Sequence, residues 1–292
     1  MTSLLDLAQS QHFPTGALYV VATPIGNTAD ITVRALHVLG LVDRIAAEDT
    51  RNTGQLLARY DISKPLLAVH QHNEREAAGR VVELLRAGER IAYVSDAGTP
   101  GISDPGAKLV DAVRAAALPV VPLPGANAAA AAVSIAGDWA GPFTFAGFLP
   151  PKPKQRATAL EPLKAHPYAL VFYEAPHRIV ETVEALAQAF GGERRLLIGR
   201  ELTKLHEDVF VGTLAEGPAW LSADANRQRG EFVLVVQGAP VQTDDDDPHA
   251  HDALLKLLLS EVPVKSAAKL AAAMTGASRN TLYARALELK ED

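Results

Sequence analysis

From Ala17 onward, short runs rich in β-branched residues alternate with amphipathic stretches of helical length, and this alternation limits the chain to a few architectures. A strand followed by a crossover helix and another strand builds a mainly parallel sheet covered by helices. The strand candidates are 17–22, 44–48, 66–70, 91–95 and 120–123. The stretches between them, such as 74–87 and 105–117, place apolar residues at three- and four-residue spacing. Five strands complete a first α/β domain by about Ala136.

A second set of strands is expected at 143–148, 169–173, 195–200, 209–213 and 232–236. One clear helix lies between Tyr173 and Gly191. The later strands have little chain between them, so antiparallel neighbours and a mixed sheet are expected there. Beyond Asp244–Asp247, which reads as a solvated acidic linker, the segments 252–259, 264–274 and 279–289 read as three short helices. Gly276 suits a left-handed helix end and Ser278 an N-cap, a helix-turn-helix outline that serves equally as a packing appendage or as a nucleic-acid module. The domain expectation is therefore 1–136, 137–240, an acidic linker 241–248, and a helical segment 249–292.

With 292 residues and 48% hydrophobic content, burial is not limiting. There is no cysteine, which excludes disulfides, thiolate zinc sites, iron–sulfur clusters and cysteine nucleophiles together. No metal is expected. No apolar run is long enough to span a membrane, and 1–15 lacks the basic start of a secretory signal, so a cytoplasmic location is expected. The net charge of −6 is unevenly spread: 151–206 carries 9 basic and 6 acidic side chains, whereas 207–248 carries 2 and 9. A polyanion would meet the 151–206 segment first.

Three turns at the ends of first-domain strands are rich in Gly and Pro: Thr23 to Asn27, Ser95 to Gly106, and Pro124 to Ala128. Ligands of open α/β sheets bind outside the carboxyl ends of the strands, so three such turns on one edge point to a site. Neither a G-x-G-x-x-G turn nor a G-x-x-x-x-G-K-[ST] loop is present, which removes the main support for nicotinamide or nucleoside triphosphate binding. Asp96, at a strand end, could bind a ribose diol, accept backbone amides, or act in catalysis.

The segments Leu18 to Asn27, Ala47 to Arg51, Ser95 to Gly106, Tyr173 to Arg178, Arg200 to Lys204 and Arg229 to Phe232 resemble the tetrapyrrole methylase superfamily and, within it, the ribosomal RNA small subunit methyltransferase I family. The resemblance runs from about Gly16 to the C-terminus. It implies a two-domain tetrapyrrole methylase-like α/β fold, with a parallel five-stranded first domain, a mixed-sheet second domain and a helical appendage. It also implies a homodimer, a folded S-adenosylmethionine between the domains, and 2′-O-methylation of a cytidine in the decoding centre of bacterial 16S rRNA.

By position, Pro24, Asp96, Ala97, Gly98, Ile102, Ser103, Asn127 and Ala128 would form one half of the cofactor pocket, with Glu174, Ala175, Phe232 and Val233 closing it. Methyl transfer needs the ribose oxygen placed in line with the methyl group and its proton removed. Asp49, Glu201 and Lys204 are the candidates for that work, though each could instead be a structural ion-pair partner. Arg51 and Arg200 are candidate phosphate clamps. His177 and Arg178 follow Pro176 at a helix start, where they could meet phosphate or cap the helix. Lys152, Lys154 and Arg156 follow Phe148 and a proline turn, a composition that suits contact with an RNA backbone or a solvated linker. Two rival functions stay open: methylation of a tetrapyrrole ring, and non-catalytic RNA binding during ribosome assembly.

Overall fold

The structure, a computed structural model, describes residues 6–240 and 249–291. The acidic linker expected over 241–248 lies outside the described residues. The chain divides into two compact units, Met1–Ala239 and Pro240–Asp292.

The first unit holds two five-stranded sheets. Strands β1 (Leu18–Val21), β2 (Arg44–Ala47), β3 (Leu66–Ala68), β4 (Ile91–Val94) and β5 (Val120–Leu123) make an all-parallel sheet in the order β3-β2-β4-β1-β5. The helices Val33–Leu41, Thr50–Ala58, Glu74–Arg86 and Ala107–Ala115 connect them in turn. Central strands read as continuous apolar runs because both faces are covered. Tyr19, Ile45 and Val38 belong to the core on one face, and Leu18, Tyr93, Val81 and Leu109 to that on the other. The strand order has a consequence for the three Gly/Pro turns. They leave β1, β4 and β5, which are side by side, so separate sequence segments become neighbours.

Strands β6 (Phe143–Phe148), β7 (Ala169–Glu174), β8 (Arg195–Arg200), β9 (Asp208–Thr213) and β10 (Phe232–Val236) form the second sheet, ordered β6-β7-β10-β8-β9. Only β6 and β7 pair in parallel; β10 runs antiparallel to both of its neighbours, as β9 does to β8. The expectation of a mixed sheet is met. One face is covered by the helix Ile179–Phe190, with Val183 and Leu186 packed on Leu170, Phe172 and Leu234. On the other face, Ala129, Ala132 and Ala136, in and after the helix Ala128–Ser134, pack with Val171, Leu197, Val233 and Val235. Small side chains bring the helix backbone close, and this contact ties the turn after β5 to the second sheet.

In the second unit, the helices Asp252–Leu259, Val264–Thr275 and Arg279–Glu291 enclose Leu255, Ala268, Ala271, Leu282 and Ala286. Gly276 has φ 79° and ends the middle helix in the left-handed conformation. Arg285 donates to both carboxylate oxygens of Asp252, at 2.8 and 2.6 Å, clamping the last helix to the first.

Candidate active site

The turns after β1, β4 and β5 are joined to one another before they meet anything else. Thr23 and Gly98 exchange backbone hydrogen bonds of 2.9 and 3.0 Å, and the Thr99 hydroxyl donates to the Ala126 carbonyl at 3.1 Å. Gly98 has φ +75°, and a Cβ there would stand 3.3 Å from Ile25 Cγ2, so glycine permits both the backbone conformation and the close approach. Across from these turns, β6 has a register shift between Phe145 and Gly147. The shift brings the Gly147 backbone against the Ser103 side chain.

A cavity of ≈ 310 Å³ lies between the three turns and the second sheet, at the small end of the range for small-molecule sites, about 300–1,000 Å³. Ala97, Gly98, Ile102, Ser103, Asn127 and Ala128 line it from the first sheet, as the sequence suggested. Glu174, Ala175, Phe232 and Val233 line it from the second. Two expected wall residues do not. Pro24 is buried outside the lining, its place taken by Ile25, and the exposed Asp96 carboxylate accepts a 3.1 Å hydrogen bond from Asn52. Sequence reasoning also missed Asp104, Tyr173, Leu202 and Glu231, which line the cavity. Tyr173 could have been found as the first residue of the segment that runs to Arg178. The others depend on tertiary packing.

The catalytic candidates separate. Asp49 is outside the cavity wall and caps the helix Thr50–Ala58, accepting from the Arg51 backbone N–H at 2.8 Å and from the Arg51 guanidinium at 2.7 Å. Those bonds hold its carboxyl well below the usual range, a poor property for a base. Lys204 lines the cavity and donates to Glu201 and Glu231, each at 2.9 Å. Burial alone would raise the Glu201 carboxyl, but the hydrogen bonds from Lys204 and from the Glu231 backbone outweigh it and the net direction is down. Burial would likewise lower the Lys204 ammonium, and its two carboxylate partners instead raise it. Lys204 is therefore a fixed cation at the cavity wall.

Three arginines assigned to RNA prove to be internal. Arg156 is 4% exposed, with its guanidinium 3.4 Å from Glu181. The guanidinium of Arg200 is spent on the carbonyls of Arg229 and His206, each at 2.8 Å. Arg178 pairs with Glu174 and donates to the Leu149 carbonyl. A buried cation held by local partners cannot double as a phosphate clamp without losing them. Lys152, Lys154, His177 and Arg51 are exposed.

Residues 17–218 match the family described as Tetrapyrrole (Corrin/Porphyrin) Methylases, and residues 245–290 match the RsmI C-terminal HTH domain. The ribosomal RNA small subunit methyltransferase I of Xylella fastidiosa is 50% identical over 270 residues, 92% of this chain and 98% of that protein. The protein of the same name from Escherichia coli O157:H7 is 47% identical, over 96% of this chain and 98% of its own length. Among solved structures, the methyltransferase CobJ aligns with a TM-score of 0.58 at 21% identity, covering 77% of this chain and 95% of that one. Uroporphyrin-III C-methyl transferase from Thermus thermophilus, complexed with S-adenyl homocysteine, aligns at 0.53 and 17%, covering 76% and 97%. At such identities the likeness is one of fold. The chain belongs to the tetrapyrrole methylase family and, within it, to the ribosomal RNA small subunit methyltransferase I group.

Proposed function

We propose that this chain transfers a methyl group from S-adenosylmethionine to the 2′ oxygen of a cytidine ribose in the decoding centre of small-subunit ribosomal RNA. The observation that carries the reading is coverage. The rRNA methyltransferases match 92–96% of the chain, whereas the tetrapyrrole methylases of known structure match 76–77%.

The residues present suit S-adenosylmethionine. Ile25, Ile102, Leu202 and Phe232 offer apolar walls for an adenine ring, and Glu174 and Glu231 are carboxylates around a ligand that carries positive charge. Gly98 lets the turns after β1 and β4 pair closely at the cavity wall. When bound, the cofactor supplies an activated methyl group on a leaving sulfur. The chain's own task is to exclude water, align the ribose hydroxyl and take its proton. Phe148, 54% exposed yet part of the cavity wall, offers a ring on which a nucleoside can stack, and Lys152 and Lys154 follow it as exposed cations suited to phosphate. Lys204, held by Glu201 and Glu231, is a fixed cation in the same wall.

The reading carries with it action in the cytoplasm and a homodimer; no described helix is long and apolar enough to cross a membrane. Labelled S-adenosylmethionine, the protein and small subunits lacking the modification should yield methylated RNA, with the label mapped to one ribose. Label on a tetrapyrrole ring and none on RNA would transfer the protein to the other branch of its family. RNA binding without calorimetric affinity for S-adenosylmethionine would make it a non-catalytic assembly factor.

A further inference from the structure

We propose that Asp104 is the catalytic base that takes the proton of the attacking hydroxyl, an inference that rests on the methyl-transfer reading above. Three carboxylates line the cavity: Asp104, Glu174 and Glu231. Glu174 is saturated, since one oxygen accepts from the Ala175 backbone and Arg178 and the other from the Thr182 hydroxyl. Its side chain is 1% exposed. Glu231 is held by Lys204 at 2.9 Å with its side chain 78% exposed, which leaves it a solvated ion-pair partner.

Asp104 differs from both. It is half-buried in the wall near Ser95, whose hydroxyl donates to the Ala97 carbonyl at 3.2 Å, and among the described residues no cation pairs with it. Its place is fixed from both sides. Ser103 before it has φ 69°, sparsely populated for a residue with a side chain. Gly106 after it is anchored by the buried Glu74 carboxylate at 2.9 Å.

The titratable and polar groups that act on or feel the charge of Asp104 are Glu48 just after β2, Ser95 and Asp96 after β4, Tyr93 within β4, and Tyr173 on β7. Burial first, then the charges of Glu48 and Asp96, push its carboxyl up to about 6. A base with that affinity is ionised at neutral pH and still takes a proton readily. Charge also balances across the step. As the ribose oxygen forms its bond to the methyl carbon, the carbon–sulfur bond breaks and its electron pair stays on sulfur. The hydroxyl proton passes to the Asp104 carboxylate. A sulfonium and a carboxylate thus become a thioether and a carboxylic acid, so two charges in a poorly solvated cleft vanish together, and Asp104 then returns its proton to water.

The experiment uses Asp104→Asn, which keeps the size of the side chain and removes its ionisable carboxyl, and Asp104→Glu. In Asp104→Asn, kcat on small subunits should fall about 100-fold or more, with S-adenosylmethionine affinity by calorimetry within about threefold of wild type. Carbon-13 spectra of the aspartate carboxyls should lose a signal that titrates near 6 in the wild type without cofactor. Asp104→Glu should recover part of the rate. A kcat within about threefold of wild type, an affinity that falls as far as kcat, or no missing carboxyl signal would overturn the assignment. If wild type itself methylates no RNA, the methyl-transfer reading falls and this inference with it; an active wild type beside an active Asp104→Asn overturns the inference alone.

Discussion

Glu74 is not part of the cavity wall, yet it sets one end of the longest loop that forms it. Its Oε1 accepts from the backbone N–H groups of Gly106, Lys108 and Leu109 at 2.9, 3.0 and 3.4 Å, so it caps the helix Ala107–Ala115 from a different helix. Gly106, at the N-cap position, has no side chain for the purpose, and none other would fit: a Cβ there would stand 2.4 Å from the buried Tyr93 ring. Glu74→Ala removes the cap, worth about 1 kcal/mol, and strands the buried Gly106 donor, worth about 1–3 kcal/mol more. The expected loss is roughly 2–4 kcal/mol, which at about 2–4 °C per kcal/mol lowers the melting temperature by roughly 5–15 °C. Glu74→Gln keeps the Oε1 acceptor and gives up the charge at the helix terminus, about 0.3–1 kcal/mol. Thermal unfolding of the three proteins tests the ranking, and calorimetry with S-adenosylmethionine tests the loop, whose affinity should drop in Glu74→Ala and largely return in Glu74→Gln. Equal melting temperatures for wild type and Glu74→Ala would refute the reasoning, because solvent would then have replaced the cap at no cost.

Gly98→Val forces a β-branched residue into φ +75° and drives its side chain toward Ile25. A strain of about 1–2 kcal/mol or more should weaken S-adenosylmethionine binding about tenfold or more, measured by calorimetry. Replacing Lys152 and Lys154 together with Ala should flatten the salt dependence of RNA binding by nearly two counterions and leave the melting temperature alone. Arg156→Ala should do the reverse, because its side chain is internal. The raised Asp104 carboxyl has a sign that can be checked by denaturant titration. The folded state holds this proton up to about pH 6 while the unfolded chain releases it near 4, so stability falls as pH rises through that window. Asp104→Asn should lose this part of the pH dependence.

The parallel sheet was legible because buried central strands write themselves as apolar runs, and the three ligand turns because Gly and Pro announce backbone close to something else. The residues Ala97, Gly98, Ile102, Ser103, Asn127 and Ala128 follow from those turns once the strand order places β4, β1 and β5 together. Charged side chains obey no such local rule. Arg200, Arg178 and Arg156 look alike in sequence with Lys152 and Lys154, and what separates them is register and crossing geometry. Arg200 lies opposite Phe232 on β10, and Glu174 lies opposite the same residue from the other side. That register buries the arginine stem and leaves its guanidinium to find the carbonyls of Arg229 and His206. Glu74 is missed for a related reason, since a glutamate in the first turn of its own helix is already accounted for by the helix dipole, and its work is done on another helix 32 residues later in the chain. Asp104 is hidden the other way, inside a motif whose glycines and prolines explain the turn completely. Only the cavity, together with the engagement of Glu174 by three donors, leaves Asp104 as the wall carboxylate free to accept a proton.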